Sequence, residues 1–184
     1  MENPFRLPLL AGLLAGLVLA APGLSAPAMA QAAQEQAKTA PTETRSTHDD
    51  WIVRCKNDKA GTHCEAVQTL QAPDMKRIYA HIAVRAEKDG PVRLIILTPP
   101  GVWLPTNVVF KVPDVQPITL TYKRCGEYCV ASIALSKEQV DELKASKGSG
   151  EFQFEDGSRN PIILPVSFKG LGAAMEATAK NLEK

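Results

Sequence analysis

The sequence has few aromatic residues, few histidines and no apolar run of membrane-spanning length after its first thirty residues. Aromatic residues make up 5% of the chain, and there are three histidines. His48, His63 and His81 are far apart, and none has a second ligand at metal-binding spacing. No nucleophile elbow, phosphate-cradling loop or dinucleotide fingerprint is present. These absences predict a protein that is not an enzyme and that holds no metal or cofactor.

Neither sign of charge dominates. The chain has 21 Lys and Arg against 20 Asp and Glu, a formal net charge of +1. A nucleic-acid binder normally shows a basic face, and the pairs Lys76-Arg77 and Lys123-Arg124 are too short to make one. Solvated strand ends account for such pairs. We therefore expect no nucleic-acid partner.

Residues 1–30 have the pattern of a secretory signal peptide. Arg6 precedes an uncharged apolar run, 7–21, and small residues follow up to Ala30. Such an A-x-A ending predicts cleavage before Gln31. An uncleaved anchor is the alternative, but the run contains glycines and is shorter than the roughly 20 residues of a bilayer span. We expect export to the periplasm, or onward to the cell surface or outer membrane, with no transmembrane segment left after cleavage.

The mature chain is long enough for one folded domain. Cleavage leaves about 154 of the 184 residues, which suits a single core. Residues 31–48 are predicted to be a flexible linker, because 31–47 contain no large apolar side chain that could offset the ordering entropy. The domain is predicted to cover 49–172. Residues 173–184 are good helix formers with little to bury, so we predict a helical tail that frays at its end.

Within the domain, short segments rich in β-branched residues alternate with turn residues. This spacing favours antiparallel pairing and predicts an all-β fold, an antiparallel β-sandwich that is Ig-like or jelly-roll-like. One short helix interrupts the series at Ser136–Ala145, where Ser136 and Gln139 form a possible capping box. This helix is predicted to be a crossover between strands. The predicted strands are 51–56, 64–70, 78–85, 92–98, 108–112, 118–124, 128–135, 151–154 and 162–168.

The four cysteines, Cys55, Cys64, Cys125 and Cys129, predict two disulfides. Their number is even, and an exported chain enters a compartment where thiols oxidise. Three connectivities are possible, and chain entropy does not separate them. Because a short, turn-like segment lies within each local pair, we predict bridges from Cys55 to Cys64 and from Cys125 to Cys129.

Two other chemistries, thiol-disulfide catalysis and zinc binding, compete with structural disulfides as the role of the cysteines. Thioredoxin-type centres usually have Cys-x-x-Cys at a helix start, whereas Cys125 and Cys129 are one position further apart and have strand-like flanks. Structural zinc prefers short paired knuckles, and the eight residues between Cys55 and Cys64 do not suit it. A structural staple is favoured. A periplasmic thiol-disulfide oxidoreductase, or a chaperone-like factor, using Cys125 and Cys129 stays as the alternative function.

The segment 98–105 is the best candidate for a binding surface. Its prolines oppose regular ladder bonding, and its apolar side chains on a loop would anchor a protein partner. The candidate binding-loop residues are Pro100, Val102, Trp103 and Leu104. The alternative, which we favour for Trp103 itself, is that the indole plugs one end of the sandwich. Trp51 is predicted to be a core residue beside the first disulfide.

The order and spacing of several segments resemble the invasion-associated locus B family. The likeness extends from Asp50 to about Ala174, and it departs from the family pattern at Pro100 and Leu171. The segments that carry it are Asp50–Cys55, Cys64, Pro99–Pro105, Cys125–Cys129 and Leu164–Leu171.

This resemblance implies an exported bacterial protein of the periplasm or cell surface with a β-sandwich fold. The family takes its name from a link to entry into host cells, and it defines no reaction. We therefore predict a non-catalytic envelope or cell-surface module. Its expected partner is an unidentified protein of the envelope or of a host surface.

Overall fold

The computed structural model describes residues 42–59, 61–71 and 78–183, and in these ranges the chain forms eleven strands and two helices. The predicted signal peptide, 1–30, and the predicted linker up to residue 41 lie outside the described residues. The strands are β1 Glu43–His48, β2 Trp51–Asp58, β3 Gly61–Gln71, β4 Ile78–Ala86, β5 Arg93–Thr98, β6 Val108–Lys111, β7 Ile118–Leu120, β8 Tyr122–Cys125, β9 Cys129–Ala134, β10 Ser149–Glu155 and β11 Pro161–Ser167. The helices are α1 Lys137–Ala145 and α2 Leu171–Leu182.

The strands form two antiparallel sheets. One has seven strands in the order β1-β2-β3-β4-β5-β9-β8, and the other has four in the order β11-β10-β6-β7. The predicted all-β antiparallel sandwich is confirmed. The single predicted strand 118–124 is divided at Thr121 into β7 and β8, which belong to different sheets. The chain therefore passes from one sheet to the other at this point.

The core lies between the two sheets because side chains alternate along each strand. On β2, Trp51, Val53 and Cys55 are buried, whereas Ile52 and Lys56 are exposed. The core also contains an edge-on pair of aromatic rings, Phe110 and Phe168, whose centroids are 5.7 Å apart. The largest fully buried side chains are Trp51, Phe110, Phe152, Phe168, Ile82, Leu94, Ile96, Leu120, Leu143 and Leu171.

A group of hydrogen bonds, most of them partly buried, joins the sheets at the β11 side. The indole N–H of Trp51 donates to the carbonyl of Ser167 at 2.8 Å. Gln68 on β3 donates to the same carbonyl at 3.1 Å, and its own side-chain oxygen accepts from the backbone N–H of Ser167 at 3.1 Å. The Ser167 hydroxyl donates to the Asp50 carboxylate at 2.6 Å. Trp51 is therefore a core residue, as predicted, and lies in the same buried cluster as Cys55 and Cys64.

The predicted linker extends too far along the chain. Residues 43–48 form β1, which pairs with β2 from Glu43 opposite Lys56 to His48 opposite Trp51. The prediction of a flexible linker is wrong for these residues, and the domain begins before residue 49. Composition gave no sign of this strand, because none of its side chains is buried. Backbone pairing at the sheet edge orders it instead.

Helix α1 is the predicted crossover, because it connects β9 in one sheet with β10 in the other. Its capping box is confirmed. The backbone N–H of Gln139 donates to the Ser136 hydroxyl at 3.2 Å, and the backbone N–H of Ser136 donates to the Gln139 side chain at 3.0 Å. Two orphan donors at the helix start are satisfied in this way.

Helix α2 contains the predicted helical tail, but it is part of the core. It packs against β2, β3 and β4, and it buries Leu171, Ala174, Met175 and Thr178. The expectation of little burial is wrong because the seven-stranded sheet offers this helix a face. Gly172 also allows a close approach to α1, since a Cβ there would lie 2.5 Å from the carbonyl oxygen of Lys144. Among the described residues, neither helix is long and apolar enough to cross a membrane.

The outer face of the seven-stranded sheet carries a row of charged residues, which we call the arginine row. The pairing register places Arg45, Arg54, Glu65, Arg85 and Arg93 side by side on β1 to β5. Glu65 is 9% exposed. Its carboxylate accepts from Arg54 Nε at 2.6 Å and from Arg85 Nη2 at 2.8 Å. Burial alone would raise the pKa of Glu65, but the hydrogen bonds from Arg85 and Arg54 outweigh it and lower the pKa.

The hydrogen bonds that join the sheets at Trp51, Gln68, Asp50 and Ser167, which we call the junction, predict unequal effects for the same substitution at the two tryptophans. Trp51→Phe removes a buried hydrogen bond and leaves a cavity, so we expect the free energy of unfolding to fall by about 2–3 kcal/mol. Trp103→Phe, at a half-buried position, is the matched control and should cost less than about 1 kcal/mol. Urea unfolding monitored by circular dichroism measures both. Equal losses of unfolding free energy in the two variants would show that the junction makes no specific contribution to stability.

Glu65 predicts a pH-dependent contribution to stability. Because its pKa is lowered in the folded state, its contribution is complete above the unfolded pKa of about 4.3 and is lost as the pH falls through the folded pKa. We expect Glu65→Gln to lower the free energy of unfolding by about 1–2 kcal/mol near neutral pH. The difference between the variant and the wild type should shrink toward about pH 2. Urea unfolding across this range tests it.

Glu151→Gln is the matched control for this prediction. Glu151 also forms a cross-strand ion pair on an outer sheet face, with Lys111 at 3.0 Å, but both side chains are almost half exposed. Such pairs contribute little. A Glu65→Gln effect no larger than the Glu151→Gln effect, or one that does not change with pH, would contradict the assigned role of Glu65.

Candidate functional site

The candidate binding loop lies between β5 and β6 and is fixed to the four-stranded sheet. Val102 forms an isolated antiparallel bridge with Asp156. The backbone N–H of Trp103 donates to the carbonyl of Glu155, the last residue of β10, at 3.0 Å. Gly101 has φ of 92°, in the left-handed region that favours glycine. Backbone contacts at Val102 and Trp103 therefore attach the loop to the end of β10.

The four predicted loop residues differ in their surroundings. Val102 is half-buried and packs against the core. Trp103 is also half-buried, but the guanidinium of Arg159 lies over its ring at 4.4 Å from the centroid, in cation–π geometry. Leu104 is 48% exposed, and Pro100 is exposed as well. The loop thus presents an exposed leucine beside an indole that is covered by an arginine.

The turn between β10 and β11 positions this arginine. The Asp156 carboxylate accepts from the backbone N–H groups of Ser158 at 2.8 Å and Asn160 at 2.9 Å, and from the Asn160 side chain at 3.0 Å. The hydrogen bonds from Asn160 lower the pKa of Asp156. Arg159 adopts φ of 65°. The sequence places this turn between two predicted strands, 151–154 and 162–168, but it did not reveal Arg159, because nothing in the local pattern indicates that Arg159 packs on Trp103.

A shallow apolar depression lies beside the loop. It has a volume of about 200 Å³ and is lined by Pro100, Val102, Phe154, Ile162 and their neighbours. Small-molecule sites usually measure about 300–1,000 Å³. The depression is therefore better matched to one apolar side chain of a partner than to a cofactor or a metabolite.

Both disulfides have the predicted connectivity, Cys55 to Cys64 and Cys125 to Cys129. Each joins residues that are directly opposite in an antiparallel pair, β2 with β3 and β8 with β9. The two bridges differ in accessibility. Cys55 and Cys64 are both buried, whereas Cys129 is 2% exposed and its partner Cys125 lies on the surface.

The three histidines are in separate surroundings. The Nδ1 of His81 is hydrogen-bonded to the hydroxyl of Thr69 at 2.9 Å, and its ring lies edge-on to Tyr128. Burial, with a smaller effect from the charge of Arg54, lowers the pKa of His81. His63 faces Asp58 at 3.6 Å, and His48 contacts Ser46. Across 42–59, 61–71 and 78–183, no three His, Cys, Asp or Glu side chains are close enough to hold a metal ion.

Known proteins resemble this chain in sequence and in fold. Two curated proteins named as homologs of invasion protein B, from Brucella abortus strain 2308 and from Brucella abortus biovar 1 strain 9-941, are each 26% identical to it over 133 residues, which is 72% of this chain and 77% of theirs. The crystal structure of invasion associated protein B from Bartonella henselae superposes with a TM-score of 0.66 at 19% identity, over 76% of this chain and 97% of that one.

A family model gives the same relationship. The model described as Invasion associated locus B (IalB) protein matches residues 51–179. This range contains both disulfides, the candidate binding loop and most of α2. It spans well over half of the 184 residues, so the resemblance stated from the sequence is confirmed and the chain belongs to the invasion-associated locus B family.

Proposed function

We propose that this protein is an exported, non-catalytic module of the bacterial periplasm or cell surface that binds a protein partner through its Pro100–Leu104 loop. The observation that carries the proposal is the exposed Leu104 next to the Arg159-covered Trp103 on a loop fixed to β10. The partner is a protein of the envelope or of a host surface. The host-surface case follows from the family name alone.

Preorganisation favours this loop as an interface. Binding energy concentrates on a few aromatic, arginine and apolar anchors, and a loop already held in its bound conformation loses little entropy on association. Trp103, Arg159 and Leu104 supply these residue types within one small surface. The adjoining depression of about 200 Å³ can accept an apolar side chain from the partner.

Two features support export. The first thirty residues have the signal-peptide pattern. Disulfides persist in oxidising compartments such as the periplasm and are rare in the cytosol of most organisms, and two are formed here. Together they favour a periplasmic or surface location over a cytosolic one.

One observation favours the alternative function as a thiol-disulfide oxidoreductase or chaperone-like factor. Cys125 is exposed while its partner Cys129 is buried, so a thiolate in solution can reach the Cys125 sulfur. Attack at an exposed sulfur is the first step of disulfide exchange. The flanks do not favour catalysis, because both cysteines lie in strands rather than at a helix start.

The loop proposal predicts a position-specific crosslink in living cells. A photo-crosslinking amino acid at Leu104 should give one adduct of defined mass, whereas the same group at Ile52, which is 45% exposed on β2 of the seven-stranded sheet, should give none. The partner identified in this adduct, once purified on its own, should bind the wild-type protein. Its affinity for the Leu104→Asp variant should be lower by about tenfold or more, because a charge buried in the contact is unfavourable. Equal adducts from both positions would exclude the loop as the interface.

The oxidation state in the cell separates the two functions. Thiols are alkylated before lysis, and the protein is then analysed by intact mass and by a non-reduced peptide map. We expect a chain that begins at Gln31 with both disulfides fully formed. Partial reduction confined to Cys125 and Cys129 would support the exchange enzyme instead, and an uncleaved chain with alkylated cysteines would contradict export.

A further inference from the structure

A second surface, far from the candidate binding loop, has the features of a ligand site. Next to the arginine row lies a polar depression of about 210 Å³, which we call the cation pocket. It is at the other end of the sheet from the loop, because β5 begins at Arg93 in the row and ends at Thr98 before the loop. The cation pocket is lined by Arg54, Lys56, His63, Glu65 and Arg85.

Glu65 holds the two arginines of the cation pocket in place but does not engage all of their hydrogen-bond donors. Arg54 donates to Glu65 through Nε alone, and Arg85 through Nε and Nη2. Within the described part of the chain, no side-chain hydrogen bond engages the two terminal amino groups of Arg54 or the Nη1 of Arg85. Their side chains are 37% and 42% exposed. Glu65 therefore orients two guanidinium groups whose free donors remain accessible.

The cation pocket has an excess of positive charge. Arg54, Lys56 and Arg85 face a single lining carboxylate, Glu65. Lys56 is exposed and forms no ion pair with any residue that the structure describes. Two nearby carboxylates lie outside the lining of the pocket: Glu43 is paired with Arg45 at 2.7 Å, and Asp58 lies 3.6 Å from the His63 ring. The lining side chains, three cations and one carboxylate with histidine neutral, therefore carry a formal net charge of +2.

We propose that the cation pocket binds a phosphomonoester group. At neutral pH this group has a charge of about −1.5 to −2 and three acceptor oxygens, which match the net charge of the lining and the free guanidinium donors. Arginine recognises such oxyanions through its planar fork, and lysine adds a point charge. A carboxylate or a phosphodiester has one negative charge and satisfies the site only in part. This inference is independent of the proposed loop function.

Calorimetric titration of the oxidised protein with phenyl phosphate tests the site. We expect saturable binding of one ligand per chain, and Lys56→Gln should weaken it about tenfold. Lys111→Gln makes the same charge change on the other sheet, where Lys111 is paired with Glu151, and should change affinity less than about twofold. Equal weakening by both variants, or no saturable binding by the wild type, would overturn the proposal.

Two controls, one of them a further variant, separate recognition of the ligand from folding and from net charge. Lys56 is exposed, so unchanged thermal unfolding of Lys56→Gln shows that lost binding is not lost structure. Arg85→Lys keeps the charge but removes the fork, and should weaken phenyl phosphate binding about as much as Lys56→Gln does. Full affinity in Arg85→Lys would show that only charge matters and would contradict a built phosphomonoester site. Phenyl sulfate, with a single charge, should bind more weakly than phenyl phosphate.

Vesicles distinguish a lipid headgroup from a soluble ligand. Phosphatidic acid carries a phosphomonoester and phosphatidylglycerol a phosphodiester, each mixed into phosphatidylcholine vesicles. Binding to the phosphatidic acid vesicles that Lys56→Gln abolishes supports the site with a lipid source. Binding of phenyl phosphate without binding to the phosphatidic acid vesicles supports the site with a soluble ligand. Equal binding to both kinds of anionic vesicle would mean that a general surface charge, and not the pocket, is responsible.

Discussion

The hydrogen-bonded junction of Trp51, Gln68, Asp50 and Ser167 is the constraint on which the rest of the structure depends. A sandwich of two sheets is stable only if their apolar faces stay in contact, and here the β11 side is joined by hydrogen bonds from two buried side chains, Trp51 and Gln68. Gln68 is 7% exposed, and both ends of its amide are satisfied by backbone atoms. A half-satisfied amide at this depth would destabilise the fold, so the junction specifies how the two sheets meet.

The junction also determines the path of the chain after Ser167. The backbone N–H of Lys169 donates to the Ser167 hydroxyl at 3.2 Å, and Gly170 then adopts φ of 86°, which starts α2 at Leu171. A Cβ at residue 170 would meet the backbone carbonyl of His48. Glycine is therefore required where β11 turns into α2, close to the end of β1. The end of the edge strand and the start of the final helix therefore meet beside the junction.

Local patterns in the sequence were enough for most of the strands, for helix α1 and for the disulfides. Alternation on β2, the capping box at Ser136 and the two short cysteine-bounded segments all depend on neighbours within a few residues. The features that were missed depend on distant partners. Strand β1 is ordered by pairing with β2, and α2 is buried because the sheet offers it a face.

The same dependence on distant partners explains why the sequence did not reveal Arg159 or the arginine row. Arg159 lies 56 positions after Trp103 and stacks on it only because a turn aims it there. The arginine row comes from five strands and exists only in the folded register. The first disulfide secures this register where the cation pocket forms: Cys55 lies between Arg54 and Lys56, and Cys64 precedes Glu65. Because a slip of one residue would turn every side chain to the other face, the buried bridge keeps the cations on the outer face while its own sulfurs remain in the core.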